Sequence, residues 1–198
     1  MSGAAVDVHK AIHAAAGEMA EWLCSVPEWD VHPVNASGSV SAHFGPTILS
    51  EHDCVLHYVR FLVGQGVPWE HMHQELSPGQ WMYRAEPKRG RPKRIDLALV
   101  SPERLQAAGL PVDPGEFALD AVIEFALASN YWQHGTGYPG AVLTKVQDDI
   151  AKSGEYLSSG LAERAYVIVV EECDHAFPSS LVDDAAERHA VDVLILRR

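Results

Sequence analysis

Two apolar segments of this chain each enclose a single acid. Asp96 lies within Arg94-Ile95-Asp96-Leu97-Ala98-Leu99-Val100, and Glu124 within Asp120-Ala121-Val122-Ile123-Glu124-Phe125-Ala126-Leu127. Runs of this composition read as buried strands, where a carboxylate without a partner costs several kcal/mol or takes up a proton. A hard divalent cation such as Mg²⁺ removes that cost, because it takes oxygen ligands from one or two carboxylates and keeps waters for chemistry. Neighbouring strands lie about 4.8 Å apart, so acids on one face of adjacent strands can share an ion. The alternative is that each acid sits at a strand end beside water, or pairs with an arginine such as Arg94.

Other residue patterns are less specific. Lys88, Arg89, Arg91, Lys93 and Arg94 place five positive charges in seven residues. Such a basic turn beside a metal site would hold a phosphate backbone, and a solvated hairpin tip is the plain alternative. His71-x-His73 puts two imidazoles on one face of a strand, a spacing that zinc sites use, but no Cys or further His follows at ligand spacing. These residues, with His52 and His57, read as surface or hydrogen-bonded histidines. Trp69, Trp81 and the Tyr131-Trp132 pair read as core or interface residues. No GxSxG elbow appears, and no P-loop or dinucleotide-binding GxGxxG directly follows a strand.

The elements that must position these residues follow from periodicity. Val8, Ile12, Ala15, Met19 and Leu23 recur at helical spacing and predict an amphipathic first helix over residues 4–24. Residues 25–49 lose that period and carry Pro27, Pro33, Gly38, Gly45 and Pro46, as an irregular connection does. A second helix is expected from Ser50, with Asp53 in its first turn, a stripe of Val55, Leu56, Val59, Leu62 and Val63, and an end at Gly64 and Gly66. WEHMHQEL and QWMYRA, followed by the basic EPKRGRPKR, predict strand, turn and strand. With the two acid-bearing runs this makes a meander of about four strands. A helix of about 18 residues from Ala141, ending at Gly160, the apolar strand Tyr166–Val170, a helix over Leu181–His189 and a strand over Val191–Leu196 complete the chain. The order predicts a mixed sheet with helices against it.

Composition bounds the function. The 198 residues carry 27 Asp plus Glu against 15 Lys plus Arg, a formal charge of -12, which excludes a uniformly basic nucleic-acid coat. No apolar run approaches the roughly 20 residues of a membrane span. Asp7, His9 and Lys10 stand where a secretory signal would place an apolar segment, which favours a cytoplasmic location. Cys24, Cys54 and Cys173 are odd in number and share no CxxC spacing, so each is expected as a small buried residue.

Taken in order, Glu51 on an early helix, Asp96 in a strand and Ile123-Glu124-Phe125-Ala126 in the next, then a helix and an apolar strand, resemble the PD-(D/E)XK, or restriction-endonuclease-like, nuclease superfamily over roughly residues 50–172. The resemblance implies a single α/β domain whose core is a central mixed β-sheet flanked by helices in α-β-β-β-α-β order. An N-terminal helical extension and loop (1–49) would precede the core (50–172), and a helix and strand (173–198) would follow it. It implies divalent-metal-dependent hydrolysis of phosphodiester bonds, with DNA as the nucleic-acid partner. Asp96, Glu124 and the backbone carbonyl of Phe125 would hold Mg²⁺ or Mn²⁺, and Glu51 would assist through water or a second ion. Small nucleases of this kind act in restriction, defence, repair and mobile elements, and cutting two strands suits a homodimer or a larger defence or repair complex. Arg89-Gly90-Arg91-Pro92 also resembles the AT-hook, which lays arginines along the minor groove.

One position departs from the family pattern: the lysine that activates the attacking water falls on Ala126, whose methyl can neither orient a water nor stabilise charge on a phosphate. The chain could be an inactivated variant whose active form has lysine at 126. Alternatively, Lys145, in the pattern Lys145-x-x-Asp148-Asp149-x-x-Lys152, could supply the ammonium from the following helix. Lys145 has a plain role too, as a solvated residue paired with Asp149 at i,i+4. The third reading is a non-catalytic nucleic-acid- or protein-binding module that retains the nuclease fold.

Overall fold

The computed structural model describes residues 6–26, 51–76, 94–101, 104, 118–128, 140–171 and 179–197. Helix α1 (Val8–Ser25) starts later than its periodicity predicts, because the Asp7 side chain accepts from the backbone N–H of Lys10 and sets the cap there. Its apolar face, Ile12, Ala15, Met19 and Leu23, is fully buried. That face packs on α2 (Glu51–Gly64), whose Tyr58 hydroxyl donates to the Ile12 carbonyl at 2.7 Å.

A short 3₁₀ turn (Trp69–His71) leads into β1 (Met72–Leu76), and β2 (Ile95–Leu99) and β3 (Ala121–Ala128) follow. The QWMYRA segment and the turn carrying Lys88, Arg89, Arg91 and Lys93 lie outside the described residues, so three strands of the expected meander are described. Helix α3 (Gly140–Ser158), β4 (Ala165–Glu171), α4 (Ser179–His189) and β5 (Asp192–Arg197) complete the order. Gly160 ends α3 with φ 73°, a conformation that an L side chain resists, while the N–H of Leu161 reaches back to the Tyr156 carbonyl at 2.9 Å.

The five strands form one sheet in the order β1-β2-β3-β4-β5. The β1–β2 and β2–β3 pairs are antiparallel, and β3–β4 and β4–β5 are parallel. Ile123 and Phe125 of β3 join Tyr166 and Ile168 of β4 in the core beneath α1 and α2. Val122 and Ala126, with Val167 and Val169, join Val146 and Ile150 of α3 in a second core on the other face. The central strands are apolar on both sides because both faces are covered. Glu124 shares the parity of Val122 and Ala126 and so belongs to the α3 face.

One expectation needs correction and another narrows. Cys24 is exposed rather than buried, since it falls on the outward phase of the last turn of α1, where its thiol meets the Arg197 carbonyl at 3.7 Å. Trp69 is 75% exposed, which removes the core alternative of its reading and leaves the interface one, because it opens the 3₁₀ turn outside the sheet. Cys54 is buried as expected, and Cys173, Trp81, Tyr131, Trp132 and the Ser50 cap lie outside the described residues. Among the described residues, no helix is long and apolar enough to cross a membrane.

Candidate active site

Asp96 and Glu124 meet because of strand register. Leu97 pairs with Ile123, so one further step along the antiparallel ladder sets Asp96 opposite Glu124. There the Asp96 carboxylate accepts the N–H of Phe125 at 2.8 Å. On the other side of Asp96 the β1 register sets Glu75, whose φ of 52° is strained for a residue with a Cβ.

Glu124 is 1% exposed, and its Oε2 accepts from the Lys152 ammonium at 2.7 Å. Its other oxygen, Oε1, is buried with no hydrogen-bond partner among the described residues. Burial pushes its carboxyl pKa up to about 9, the neighbouring Asp96 charge adds to the rise, and Lys152 opposes it only in part. A carboxylate at this position therefore calls for more positive charge than one lysine supplies.

Helix α3 delivers the cations. Lys145, Asp149 and Lys152 recur at i, i+4 and i+7 and so share one helix face. The Lys145 ammonium uses three donors on three acceptors: the Phe125 carbonyl at 3.0 Å, Asp149 Oδ2 at 2.8 Å and Glu51 Oε1 at 3.1 Å. Burial alone would lower the Lys145 pKa, but the carboxylates of Asp149 and Glu51 outweigh it and hold the ammonium charged above its ordinary value. Burial raises the Asp149 pKa, against the pull of Lys145 and Lys152.

The structure thus brings together Glu51, Asp96, Glu124, the Phe125 carbonyl and Lys145, contributed by α2, β2, β3 and α3. Asp149 and Lys152 join them. Four carboxylates stand against two ammonium groups, so the fully ionised cluster carries an excess of two negative charges. A divalent ion would balance that excess. The donor set is all oxygen, the class of ligand that Mg²⁺ or Mn²⁺ takes, and Glu124 Oε1 is left without a partner, but no three of these acids bring ligand atoms within 4.8 Å of one another.

Ala126 is 1% exposed and packs in the core shared with Val146 and Ile150. Arg94 is not a partner of Asp96: it pairs with Glu75 at 3.0 Å, and both side chains are more than half exposed. Lys88, Arg89, Arg91 and Lys93 lie outside the described residues. His71 and His73 are half-buried, and burial together with the adjacent His71 keeps the His73 pKa low. His57 stacks on Trp22, with ring centroids 4.0 Å apart.

The i,i+4 pairing of Lys145 with Asp149 expected from the sequence is present, whereas the role of Lys152 escapes a reading of the sequence, although its spacing from Lys145 is visible there. The contact from Lys152 to Glu124 spans 28 residues and exists only after α3 packs on the sheet. His9, His13 and Asp192 form a second cluster, with one ligand atom from each lying within 4.8 Å of the others. The i,i+4 histidine pair is legible in the sequence, but the acid comes from the far end of the chain. In comparisons with known proteins, no family model, curated protein or solved structure matches the chain.

Proposed function

We propose that this protein is a divalent-metal-dependent nuclease with a restriction-endonuclease-like core, hydrolysing phosphodiester bonds of DNA. The observation that carries the reading is Lys145. Its ammonium hydrogen-bonds the carbonyl of Phe125, the residue between Glu124 and the position where the family lysine would stand. The lysine missing at 126 is thereby supplied from α3. The helix, antiparallel meander, helix and parallel strand over α2 to β4 also agree with the αβββαβ order that the resemblance implies.

Asp96, Glu124 and the Phe125 carbonyl would hold Mg²⁺ or Mn²⁺, with Glu51 and Asp149 close by. When bound, the ion polarises a phosphoryl oxygen and lowers the pKa of a coordinated water. Lys145 stays protonated at neutral pH, so it does not accept a proton. To orient the attacking water and stabilise charge building on the phosphate, it would turn one of its three donors away from a present partner, the longest contact being that to Glu51 at 3.1 Å. Asp149 and Glu51 hold that ammonium in place and keep it charged. Lys152 neutralises part of the Glu124 charge. The basic run Lys88–Arg94 would contact the phosphate backbone.

The test is nicking of supercoiled plasmid, alongside single-stranded DNA and RNA, with Mg²⁺ or Mn²⁺. The unaltered chain is expected to cut DNA, and Asp96→Asn to lose at least about a hundredfold in rate while keeping its circular dichroism spectrum. Metal-dependent binding of DNA with no cleavage of any substrate would overturn the nuclease reading in favour of the non-catalytic module. Activity unchanged in Asp96→Asn would remove the site assignment.

A further inference from the structure

A second cluster of metal-ligating side chains lies on the other face of the sheet from Asp96 and Glu124, where α1 crosses the starts of β4 and β5. His9 and His13 are one helical turn apart on α1, with ring centroids 4.5 Å apart in an edge-on arrangement. Asp192 opens β5, and its register partner on β4 is Tyr166. One ligand atom from each of His9, His13 and Asp192 lies within 4.8 Å of the other two. We propose that these three residues bind a transition-metal ion of the Zn²⁺ class, which ties α1 to the edge of the sheet at β5.

The donor set differs in kind from that of the nuclease site. Two imidazoles and one carboxylate suit Zn²⁺, Co²⁺ or Ni²⁺, whereas all-oxygen donors suit Mg²⁺ or Mn²⁺. Three protein ligands leave a fourth tetrahedral position for water. Ligand atoms around a tetrahedral Zn²⁺ stand roughly 3.3 Å apart at Zn–N distances near 2.0 Å. The ligand atoms lie within 4.8 Å of one another, so the site must close further on the ion, and His13 and Asp192 are exposed.

The support that would orient His9 is already in place. Its Nδ1 lies 2.7 Å from the hydroxyl of Tyr166, a fully buried residue. In the tautomer whose Nδ1–H donates to that oxygen, the Nε2 lone pair is left for the ion, the arrangement that orients metal-binding histidines.

The consequence is mechanical. Helix α1 contacts the core through apolar packing and the Tyr58 bond, and the ion would add a link from its first turns to the last strand of the chain. The experiment is Co²⁺ titration of the full chain followed by visible absorption, with thermal unfolding in ZnCl₂ as a second measurement. One equivalent of Co²⁺ with tetrahedral ligand-field bands is expected, together with a rise in Tm on adding Zn²⁺. His13→Ala and Asp192→Asn, both at exposed positions, should each weaken Co²⁺ binding at least about tenfold. Asp96→Asn should leave it unchanged, which separates this site from the nuclease reading. Absence of ligand-field bands at millimolar Co²⁺ would overturn the proposal. So would unchanged affinity in both variants, or a thiolate charge-transfer band assigning the ion to cysteine.

Discussion

Glu124 is held in a protein environment that favours its neutral form, yet its proposed role needs the charged one. Its pKa of about 9, against an ordinary 4.5, means that the folded chain binds this proton more tightly than the unfolded chain does. Metal-free stability contributed by this group is therefore present at low pH and lost as pH rises from the ordinary carboxylate range through about 9. Binding a divalent ion expels the proton, so Mg²⁺ affinity should climb over the same window, as calorimetry at several pH values would show. Glu124→Gln should flatten the pH dependence of metal-free unfolding and stabilise the metal-free chain at alkaline pH, while removing Mg²⁺ binding. A variant with the original pH slope would show that another group sets it. Asp96 and Glu124 were legible in the sequence, because an acid inside an apolar run demands compensation. Lys152 was not, because its value depends on a partner that only folding brings near.

Among the elements, α3 matters most, because one face of it supplies Lys145, Asp149 and Lys152 while the rest packs on the sheet and on α4. Its seat against α4 has no slack at Gly154, where an added Cβ would lie 2.7 Å from His189 Nδ1 and 2.8 Å from His189 Cβ. Gly154→Ala should cost about 1–3 kcal/mol, read as a lower urea midpoint, since the near contact includes the root of the His189 side chain and not only its tip. Adding His189→Ala should restore only the share due to the ring, since alanine keeps the Cβ that would lie 2.8 Å away. If Gly154→Ala alone unfolds at the original midpoint, the α3–α4 seat is looser than these distances imply. Helix spans were readable from apolar spacing and glycine ends, and α3 lies close to its expected bounds. What periodicity does not encode is pairing. The expected meander makes β2 and β3 antiparallel neighbours, as they are, but nothing in the runs around Asp96 and Glu124 states the register that opposes the two acids. The exposed Trp69 shows the converse, a large aromatic whose type allowed core or interface and whose place on a 3₁₀ turn decided against the core.

For the whole molecule, a net charge of -12 conceals a basic run of five residues and a remainder at -17. The acidic remainder restricts where a polyanion can lie, and a cluster whose fully ionised form carries two uncompensated negative charges would hold phosphate off until an ion offsets them. Duplex binding should therefore depend on the divalent ion and weaken with added salt. Replacing Lys88, Arg89, Arg91 and Lys93 with Gln should lower the slope of log affinity against log salt by about 0.9 for each phosphate that is no longer neutralised. An unchanged slope by fluorescence anisotropy would move the DNA-binding surface elsewhere. The proposed activity, however, rests on the ammonium that α3 brings to the Phe125 carbonyl. Its most direct test is the rate of Mg²⁺-dependent plasmid nicking by Lys145→Met, which keeps the aliphatic stem and removes the charge. A loss of at least about a hundredfold with the fold intact is expected if Lys145 stands in for the family lysine, and a variant that nicks at the unaltered rate would contradict that role.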